Sequence, residues 1–470
     1  MDVFRLPVAM LILAAVAASL FFSFSLVGAS SGSARVVSGA FLLVSLFSAI
    51  FIAAAVYYLV ASSGLGKNKS APKTFHSVAV VVPCCNESAE TVGRTLSSLR
   101  KMRYGGKLAF YLLDDSTDAK NKETLAEICK KLGVTRVTRA SREGYKGGAL
   151  NNFLKTAKEE FIAIFDFDET LLNPNLLMET MGHFEDERIA FVQTNKEFER
   201  KSIFGQASSM TAEIFFNAIQ PVNSRNGFAV FTGSCAVMRV SALKAVDGFP
   251  NVLVEDVGIS FLLSVNRWKG QHVSESYARG SAVSDFPDFL AKHKRYIFGA
   301  TQLFSLYLSN IGKIPLSRQP TYFLMLFGLH YVSLAQLFAA LLCLALPLFT
   351  PPDAAFWAVF FYMFSNFFAI IALAFGLYGV FIGGIYAYLL NFAILLPRIS
   401  SSFSAALGAK RVFNSGKEGL LGQFPEIIIG IAFLISGIAL LLSGQAYGGL
   451  LFWWALLFFS KAFFTLFYSY

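Results

Sequence analysis

The chain has 470 residues, of which 55% are hydrophobic and only 15% are charged, and its formal net charge at pH 7 is +10. Soluble domains usually carry about a quarter of charged residues, so the composition excludes a purely soluble protein and predicts membrane-spanning segments. The positive charge suits anionic lipid or phosphorylated substrates. We do not expect nucleic acid as a partner, because no dense basic motif with interleaved aromatic residues occurs.

Two apolar runs open the chain, one from about Leu6 to Ala29 and one from Val36 to Ala61. Each is long enough to span a bilayer. Arg5 before the first run would also fit a signal peptide, but the run is longer than a signal core and a second span follows at once. We therefore predict a transmembrane hairpin over residues 1–63 with its N-terminus in the cytosol. The three lysines between residues 67 and 73 then lie on the cytosolic side.

Residues 76–300 have an ordinary composition in which strand-like and helix-like segments alternate. The predicted strands are Val78–Val82, Leu108–Leu113, Phe161–Phe165 and Ile189–Val192, and the predicted helices are Ala89–Arg100, Lys122–Leu132 and Gly148–Lys158. This alternation predicts a parallel α/β sheet of the nucleotide-binding type. Five cysteines at irregular spacing form no disulfide framework, which indicates a reducing, cytosol-facing compartment for this part.

The third predicted strand ends in two acids, Asp166 and Asp168. Acids at the carboxyl edge of an open α/β sheet lie where such sheets bind ligands. Alternation along an extended chain would point both carboxylates to the same side. Two hard oxygen donors on one side suit a divalent cation that carries phosphate. A solvated turn is the alternative, and the Asp-x-Asp pattern alone would favour it.

Apolar runs return after Arg318. They cover Tyr322–Pro347, Ala354–Gly376, Tyr378–Leu396, Ile427–Leu442 and Leu450–Phe467. The basic stretch 398–424 between the third and fourth runs is predicted to be a cytosolic loop. Three complete spans before it would leave it outside, so we expect one of the three to lie at the interface or to re-enter. Residues 301–320 are predicted to form an amphipathic surface helix.

The soluble part carries a series of short polar motifs. In chain order they are Pro83-Cys-Cys-Asn86-Glu87, Asp114-Asp115-Ser116-Thr117-Asp118, Lys146-Gly-Gly-Ala-Leu-Asn151, Asp166-Phe-Asp168, Phe231-Thr-Gly-Ser234, Glu255-Asp256 and Lys292-His-Lys-Arg295-Tyr296. Together they resemble the family 2 glycosyltransferases, especially the membrane-integrated cellulose, mannan and hyaluronan synthase group. The resemblance covers residues 76–300 and extends weakly to 419. It implies an α/β GT-A (Rossmann-like) cytosolic domain inserted between transmembrane helices.

For the donor, the resemblance implies a nucleotide diphosphate sugar, either a UDP- or a GDP-sugar. Glu87 at the tip of the first strand and Asp115 at the tip of the second would contact the nucleoside, with Asp114 as a helper. Carboxylates there would accept hydrogen bonds from the base or the ribose. The alternatives are a helix cap at Asn86 and a turn rich in Asp and Ser.

For the diphosphate, the resemblance implies a divalent cation, Mg²⁺ or Mn²⁺, held by Asp168. Asp166 would touch the metal or the ribose. Lys146 would add positive charge beside a glycine-rich backbone, and Arg295 would clamp the diphosphate through its planar guanidinium. The alternatives are a solvated Lys146 and, around Lys292, a basic patch against lipid headgroups.

For the acceptor, the resemblance implies that Asp256 is the general base and that the loop 231–234 lies under the acceptor sugar. Glu255 and Asp256 precede an apolar helix-like run, so the helix dipole would favour their ionised forms. Simple helix capping is the alternative role for this pair. A base at this place would take the proton of the attacking hydroxyl.

Two motifs depart from the synthase pattern or match it weakly. Lys292 and Tyr296 stand where processive synthases have the Gln and the Trp of Gln-x-x-Arg-Trp, which speaks against long-chain processivity. Tyr296 keeps an aromatic face for sugar stacking. Residues 411–419 resemble a gating loop in which Ser415 and Lys417 would fold over the donor. A basic cytosolic loop is the alternative for that stretch.

The resemblance therefore implies an inverting glycosyltransferase, a hexosyltransferase that extends a growing glycan at the membrane. The alternative is an enzyme that adds one sugar to a lipid acceptor, such as a glycolipid or a polyprenyl phosphate. A transport or scaffold protein that has lost activity is a third hypothesis, and the retention of Asp115, Asp166, Asp168 and Asp256 speaks against it. The sugar, the nucleotide and the linkage stay open.

Overall fold

The computed structural model describes residues 2–199, 202–316, 318–350, 352–378, 381–408 and 424–468. The predicted gating loop at 411–419, with Ser415 and Lys417, lies outside the described residues. The helices of the N-terminal hairpin are α1 (Asp2–Ala29) and α2 (Gly32–Ala61). The strands that follow are β1 (Val78–Cys84), β2 (Leu108–Asp114), β3 (Thr135–Thr138), β4 (Phe161–Ile164), β5 (Thr170–Leu171), β6 (Ile189–Glu199), β7 (Ala236–Arg239) and β8 (Lys269–Ser281).

Helices fill the rest of the described chain. In the α/β part they are α3 (Ala89–Leu99), α4 (Ala119–Leu132), α5 (Tyr145–Leu154), α6 (Leu176–Thr180), α7 (Ile203–Ile214), α8 (Gln220–Arg225), α9 (Val240–Lys244) and α10 (Glu255–Val265). They continue with α11 (Phe286–Asn310), α12 (Gln319–Phe349), α13 (Pro352–Tyr378), α14 (Phe381–Ala393), α15 (Leu395–Ala406), α16 (Phe424–Leu442) and α17 (Tyr447–Phe467).

The eight strands form one mixed sheet in the order β3-β2-β1-β4-β7-β6-β8-β5. The strands β3, β2, β1 and β4 run parallel, whereas β7 is antiparallel to both β4 and β6. The prediction of a wholly parallel sheet was therefore wrong beyond β4. The segment between β6 and β7 contributes α7, which packs against α14, so it does not cross the sheet face as a βαβ helix would.

The central strand β1 is buried along its whole length because α3 packs on one of its faces and α5 on the other. Val80 and Val82 belong to a core with Leu96 of α3, and Val81 belongs to a second core with Leu150 of α5. Successive side chains of a strand point to opposite faces, so an uninterrupted apolar run is what a doubly covered strand requires. All four strands predicted from such runs are present in the structure.

Six of the described helices are long and apolar enough to cross a membrane, and the protein is a membrane protein. The third predicted C-terminal span is divided between α14 and α15, which meet at an angle of 42°. That geometry is a broken span or a re-entrant segment, as the charge of the following loop suggested. The predicted surface helix at 301–320 is in part the end of α11.

Hydrogen bonds and rings join the α/β domain to the helical bundle. The Tyr58 hydroxyl of α2 donates to Asn223 Oδ1 of α8 at 3.4 Å. At the start of α11, the Phe286 backbone N–H donates to the Tyr468 carbonyl at 2.7 Å. The rings of Phe286 and Phe464 stack with centroids 5.8 Å apart. These contacts fix α11 against α17, and the orientation of α11 matters for the site.

Candidate active site

The tips of β1 and β2 are tied together by Asn86. Its side-chain oxygen accepts from the Thr117 backbone N–H at 2.7 Å, and its own N–H donates to Ser116 Oγ at 3.0 Å. The backbone of Asn86 has φ of 63°, a left-handed conformation that Asn tolerates. Glu87 folds back to accept from the Cys85 N–H, and burial raises the pKa of Glu87. The predicted nucleoside end of the site is therefore a rigid pair of turns.

The two acids at the tip of β2 have different partners. Asp114 is buried and pairs with Arg136 at 2.6 Å. Burial alone would raise the pKa of Asp114, but the hydrogen bonds from Ser116 and the pair with Arg136 hold it below its usual value. Asp115 receives both Nε and Nη2 of Arg139, at 2.8 and 2.6 Å. Asp114 is thus engaged within the fold, and Asp115 lies beside the predicted donor site in a bidentate ion pair.

Arg139 also shapes the loop that carries Lys146. Its guanidinium donates to the Glu143 and Tyr145 carbonyls at 2.6 and 2.7 Å. Gly148 permits this approach, since a Cβ there would lie 2.0 Å from the Glu143 carbonyl oxygen. Sequence reasoning missed Arg139, because nothing in an isolated arginine after a short strand distinguishes it from a solvated one.

Helix α5 starts at this loop and is held in place by Asn151. The Asn151 amide accepts from the Phe249 N–H and donates to the Phe249 carbonyl, both at 2.8 Å. Gly147 lets α5 approach α10, since its Cβ would lie 3.2 Å from Glu255 carbons. The motif from Lys146 to Asn151 therefore brings the start of α5 against the start of α10.

Asp166 is held by two ammonium groups. Lys146 Nζ contacts Asp166 Oδ1, and Lys196 Nζ lies 3.8 Å from Asp166 Oδ2. Burial alone would raise the pKa of Asp166, but Lys146 and Lys196 outweigh burial and hold the pKa well below its usual value. Asp166 is therefore an anion whose charge is already compensated by the protein.

Asp168 has a different environment. In the part of the chain that the structure describes, it forms no ion pair, and burial together with the charges of Asp166 and Glu169 raises its pKa. It lines a cleft of about 260 Å³ with Arg94 and Arg279. Strand alternation does not apply to Asp166 and Asp168, because β4 ends at Ile164 and the chain turns at residues 167–168, so the expectation that both acids point to one side stays a prediction.

Lys196, Glu169 and Ser234 form a buried polar cluster next to Asp166. Lys196 Nζ lies 2.9 Å from Glu169 Oε1 and 2.9 Å from Ser234 Oγ, and the Ser234 hydroxyl donates to Glu169 at 2.6 Å. Glu169 also accepts from the Asp166 N–H at 2.9 Å. Burial would lower the pKa of Lys196, but Glu169 and Asp166 raise it well above its usual value. Sequence analysis overlooked Lys196 and Glu169.

Asp256 lies in the first turn of α10 and faces Gly233. A Cβ on Gly233 would lie 3.5 Å from Asp256 Oδ2 and 3.7 Å from Lys146 Nζ. Asp256 Oδ1 accepts from the Val257 N–H at 2.8 Å. Burial raises the pKa of Asp256, and burial together with the charge of Asp256 raises the pKa of Glu255 to about 7. Asp256 Oδ2 and Lys146 Nζ therefore both lie next to Gly233.

Two buried amides hold the loop that contains Gly233. Gln193 Oε1 accepts from the Thr232 N–H at 2.9 Å, and Gln193 Nε2 donates to the Ser234 carbonyl at 2.9 Å. Gln220 Oε1 accepts from the Val230 N–H at 2.8 Å. These contacts replace the ladder hydrogen bonds that an irregular buried loop lacks.

Helix α11 brings Arg295 toward α10. The positive charge of Arg295 lowers the pKa of both Glu255 and Asp256, against the larger effect of burial. Gly299, one turn later, packs so closely that its Cβ would lie 2.8 Å from Val254. Tyr296 packs against an apolar core and lies 5.8 Å from Lys292 Nζ, measured to the ring centre.

The structure thus brings Lys146, Asp166, Asp256 and Arg295 to one region, and places Asp168 at its margin. Glu87 and Asp115 lie at the tips of β1 and β2, next to the loop of Lys146. Among the described residues, no three His, Cys, Asp or Glu side chains converge on a metal position.

A family model for the family 2 group of glycosyl transferases matches residues 161–390. The cellulose synthase catalytic subunit of Pseudomonas fluorescens is 27% identical over 254 residues, which are 52% of this chain and 34% of that protein. A probable glucomannan 4-beta-mannosyltransferase of Oryza sativa is 28% identical over 241 residues, 48% of this chain and 41% of that protein. A beta-monoglucosyldiacylglycerol synthase of Nostoc is 25% identical over 283 residues, 58% of this chain and 60% of that protein.

Among solved structures, a mannosyltransferase from Pyrobaculum calidifontis, in complex with GDP-Man and Mn²⁺, superposes with a TM-score of 0.57 at 18% identity. The match covers 83% of this chain and all of the other, so the two share a fold. The chain spans between about a third and three fifths of the length of the curated relatives named above. The predicted family and fold class are confirmed for the domain: residues 161–390 match the family 2 glycosyltransferases, and the chain has a GT-A fold with apolar helices at both ends.

Proposed function

We propose that the protein is an inverting glycosyltransferase that moves a sugar from a nucleotide diphosphate sugar to a growing glycan at the membrane. The observation that carries this proposal is that Lys146, which is paired with Asp166, and Asp256 both lie next to Gly233. A cation for the leaving phosphates and a carboxylate for the attacking hydroxyl then lie close together, beside the same glycine.

On the donor side, we assign the nucleoside to the tips of β1 and β2, near Glu87 and Asp115. The ammonium of Lys146 and the guanidinium of Arg295 would attract the diphosphate and stabilise the charge that develops on it. Asp166 holds the ammonium of Lys146 in place, since the two side chains are ion-paired. A UDP- or a GDP-sugar satisfies this arrangement equally well.

We assign a divalent cation, Mg²⁺ or Mn²⁺, to Asp168. Its carboxylate is free of ion pairs in the described residues and borders a cleft, which suits a hard cation that keeps waters and takes phosphate oxygens. Asp166 suits the cation less well, because two ammonium groups already neutralise it. A bound cation would supply charge stabilisation for the departing diphosphate. The complex of the Pyrobaculum mannosyltransferase with Mn²⁺ supports the use of a divalent cation, and the choice of Asp168 rests on its place beside the cleft.

On the acceptor side, Asp256 takes the proton from the acceptor hydroxyl. The hydroxyl oxygen then attacks the anomeric carbon while the bond to the nucleoside diphosphate breaks, and the configuration inverts. Glu255 is shielded from water next to Asp256, and the mechanism does not require it to contact the sugar. The attacked carbon carries much positive charge in such a transition state, so a carboxylate is a strong enough base.

The topology that accompanies this function places the α/β domain in the cytosol. The nucleotide sugar would then reach the site from the cytosol, and the acceptor would lie between the domain and the bilayer. The lysines that follow α2 support this orientation. The bilayer itself is a partner of the apolar helices.

A second function, transfer of a single sugar to a lipid acceptor, is favoured by two observations. The glycolipid synthase of Nostoc is matched over 60% of its length, whereas the cellulose synthase is matched over 34%. The replacement of Gln and Trp by Lys292 and Tyr296 points the same way.

One experiment separates these functions. The purified protein, in a nanodisc with Mn²⁺, is given a panel of UDP- and GDP-sugars, and release of nucleoside diphosphate is measured. We expect release with at least one donor and a loss of about a thousandfold in Asp256→Asn. A long water-soluble product supports the first function and a short organic-extractable one supports the second. Absence of release with every donor, or an unchanged rate in Asp256→Asn, would overturn the proposal.

A further inference from the structure

Lys196 brings an ammonium group into a site where it is largely shielded from water. Its side chain is 13% exposed, and it contacts Glu169 and Ser234 at 2.9 Å and Asp166 at 3.8 Å. Removing such a charge from water costs several kcal/mol, and a buried ion pair seldom stabilises more than apolar residues of the same volume would. Stability alone therefore does not explain the presence of this lysine.

Irregular strand pairing directs the side chain of Lys196 toward Glu169, Ser234 and Asp166. The pairing of β6 with β8 shifts register between Thr194 and Asn195 and again between Asn195 and Lys196. The Lys196 N–H donates to Asn195 Oδ1 at 2.9 Å, which supports the irregular turn of the strand. Strand irregularities of this kind re-aim side chains and cluster next to active sites.

The partners of Lys196 belong to the two halves of the site. Asp166 lies on the donor half, where it holds Lys146. Ser234 lies on the acceptor half, because the adjacent Gly233 faces Asp256. The hydrogen bond from Ser234 to Glu169 completes the cluster. A single ammonium group therefore contacts both the donor-side acid and the acceptor-side loop.

We infer that Lys196 is a positioning residue of the transfer reaction, which holds the donor-side carboxylate Asp166 in register with the acceptor-side loop at Gly233 and Ser234. This inference rests on the proposed function. Lys196 does not touch the reacting atoms. It sets the distance between the diphosphate and the attacking hydroxyl. The rate of a bimolecular displacement changes strongly when that distance changes by about 1 Å.

The first test replaces the ammonium group by an uncharged chain of similar length, Lys196→Met. We expect kcat to fall by about a hundredfold, as for a misplacement of about 1 Å. The Kd of the nucleoside diphosphate with Mn²⁺, measured by titration calorimetry, should change less than threefold, since Lys146 and Asp168 remain. A decrease in donor affinity as large as the decrease in kcat would instead make Lys196 a donor-binding residue.

A second variant separates positioning from folding. Lys196→Met leaves Glu169 buried without its cation, so the variant is also expected to be less stable. The double variant Lys196→Met, Glu169→Gln removes both charges and should recover most of the melting temperature. We expect its kcat to stay low. Recovery of kcat along with the melting temperature would show that Lys196 only compensates Glu169, and the inference would be wrong.

The matched control is Lys269→Met. Lys269 is also a strand lysine with an acidic partner, Asp186 at 2.8 Å, and that pair has no contact with the site. The kcat of Lys269→Met should equal that of the unmodified protein. If the unmodified protein transfers sugar and Lys196→Met transfers it equally fast, this inference fails while the proposed function stands. If the unmodified protein transfers none, the proposed function fails first.

Discussion

Two carboxylates, Glu255 and Asp256, share the first turn of α10 at the candidate site. Burial raises the pKa of Asp256, and burial together with the charge of Asp256 raises the pKa of Glu255 to about 7. When two neighbouring carboxyl groups interact, the last proton leaves the pair at a higher pH than it would leave either group alone. The base that accepts the hydroxyl proton must be ionised, so its raised pKa limits the rate on the acidic side.

We predict that kcat falls as the pH decreases through the range between the ordinary carboxyl pKa and 7. In Glu255→Gln the neighbouring negative charge is absent, so the pKa of Asp256 decreases. The acidic limb, which is the part of the pH profile where kcat falls as the pH decreases, then moves to lower pH. The measurement is kcat against pH for both proteins at saturating donor. Glu185→Gln, which alters an exposed acid near Lys73, is the control and should leave the limb in place. A limb that stays in place in Glu255→Gln would show that the two acids do not interact.

Most acids of the site could be predicted from the sequence because each follows an apolar run that had to be a strand or precedes a helix. The basic residues Arg139 and Lys196 could not. Arg139 follows β3, a strand of four residues with no apolar run to reveal it. Lys196 belongs to a strand whose pairing shifts register, so alternation no longer tells which way its side chain points.

At the scale of elements, the site depends on how closely α11 packs on the start of α10. Gly299 lies four residues after Arg295, hence on the same face of the helix. A Cβ on Gly299 would lie 2.8 Å from Val254 Cγ1 and 3.0 Å from the Val254 backbone nitrogen. Val254 directly precedes the two acids, so any displacement of α11 also displaces Arg295 from them.

We predict that Gly299→Ala reduces kcat by at least tenfold because α11 must move by a few tenths of an ångström or more. The destabilisation should be about 1–3 kcal/mol, the usual cost of overpacking. Both quantities are measured on purified protein, by diphosphate release and by thermal unfolding. Gly312→Ala is the control, since a Cβ on Gly312 meets no atom within 4 Å. Equal kinetics in the two variants would contradict a role for this contact.

At the scale of the whole molecule, the helices α16 and α17 form a hairpin. Its turn lies on one side of the bundle, and the end of α17 lies on the other. The end of α17 contacts the α/β domain, because the Phe286 N–H donates to the Tyr468 carbonyl. A helix of 21 residues is about 30 Å long, so in the proposed topology we expect the turn at 443–446 at the far side of the bilayer.

We predict that a cysteine at Ser443 is labelled by a membrane-impermeant maleimide only from the side opposite to the α/β domain. A cysteine at Lys101, an exposed residue of that domain, should be labelled only from the cytosolic side. Labelling of inside-out and right-side-out vesicles checks both, with the unmodified chain as the baseline. Labelling of both positions from one side would contradict the proposed topology.

The topology of the helical part was harder to predict than that of the α/β part. Apolar runs predict the presence of helices well, but they do not predict a bend within a run. The bend between α14 and α15 is an example, because the sequence is apolar on both sides of it. Only the charges after residue 398 indicated that one run could not be a simple span. In contrast, three strands of the parallel half, β1, β2 and β4, are bounded by polar residues and could be located to within a few positions.

The contact between Phe286 and Tyr468 has a consequence for biosynthesis. A nascent chain completes its α/β domain long before the ribosome translates α17, so α11 emerges without the helix that will anchor it. Until that helix inserts, the start of α11 lacks this anchor, and the packing of Gly299 on Val254 must orient Arg295 without it. We therefore expect the newly made protein to reach full activity only once its whole bundle is embedded in lipid.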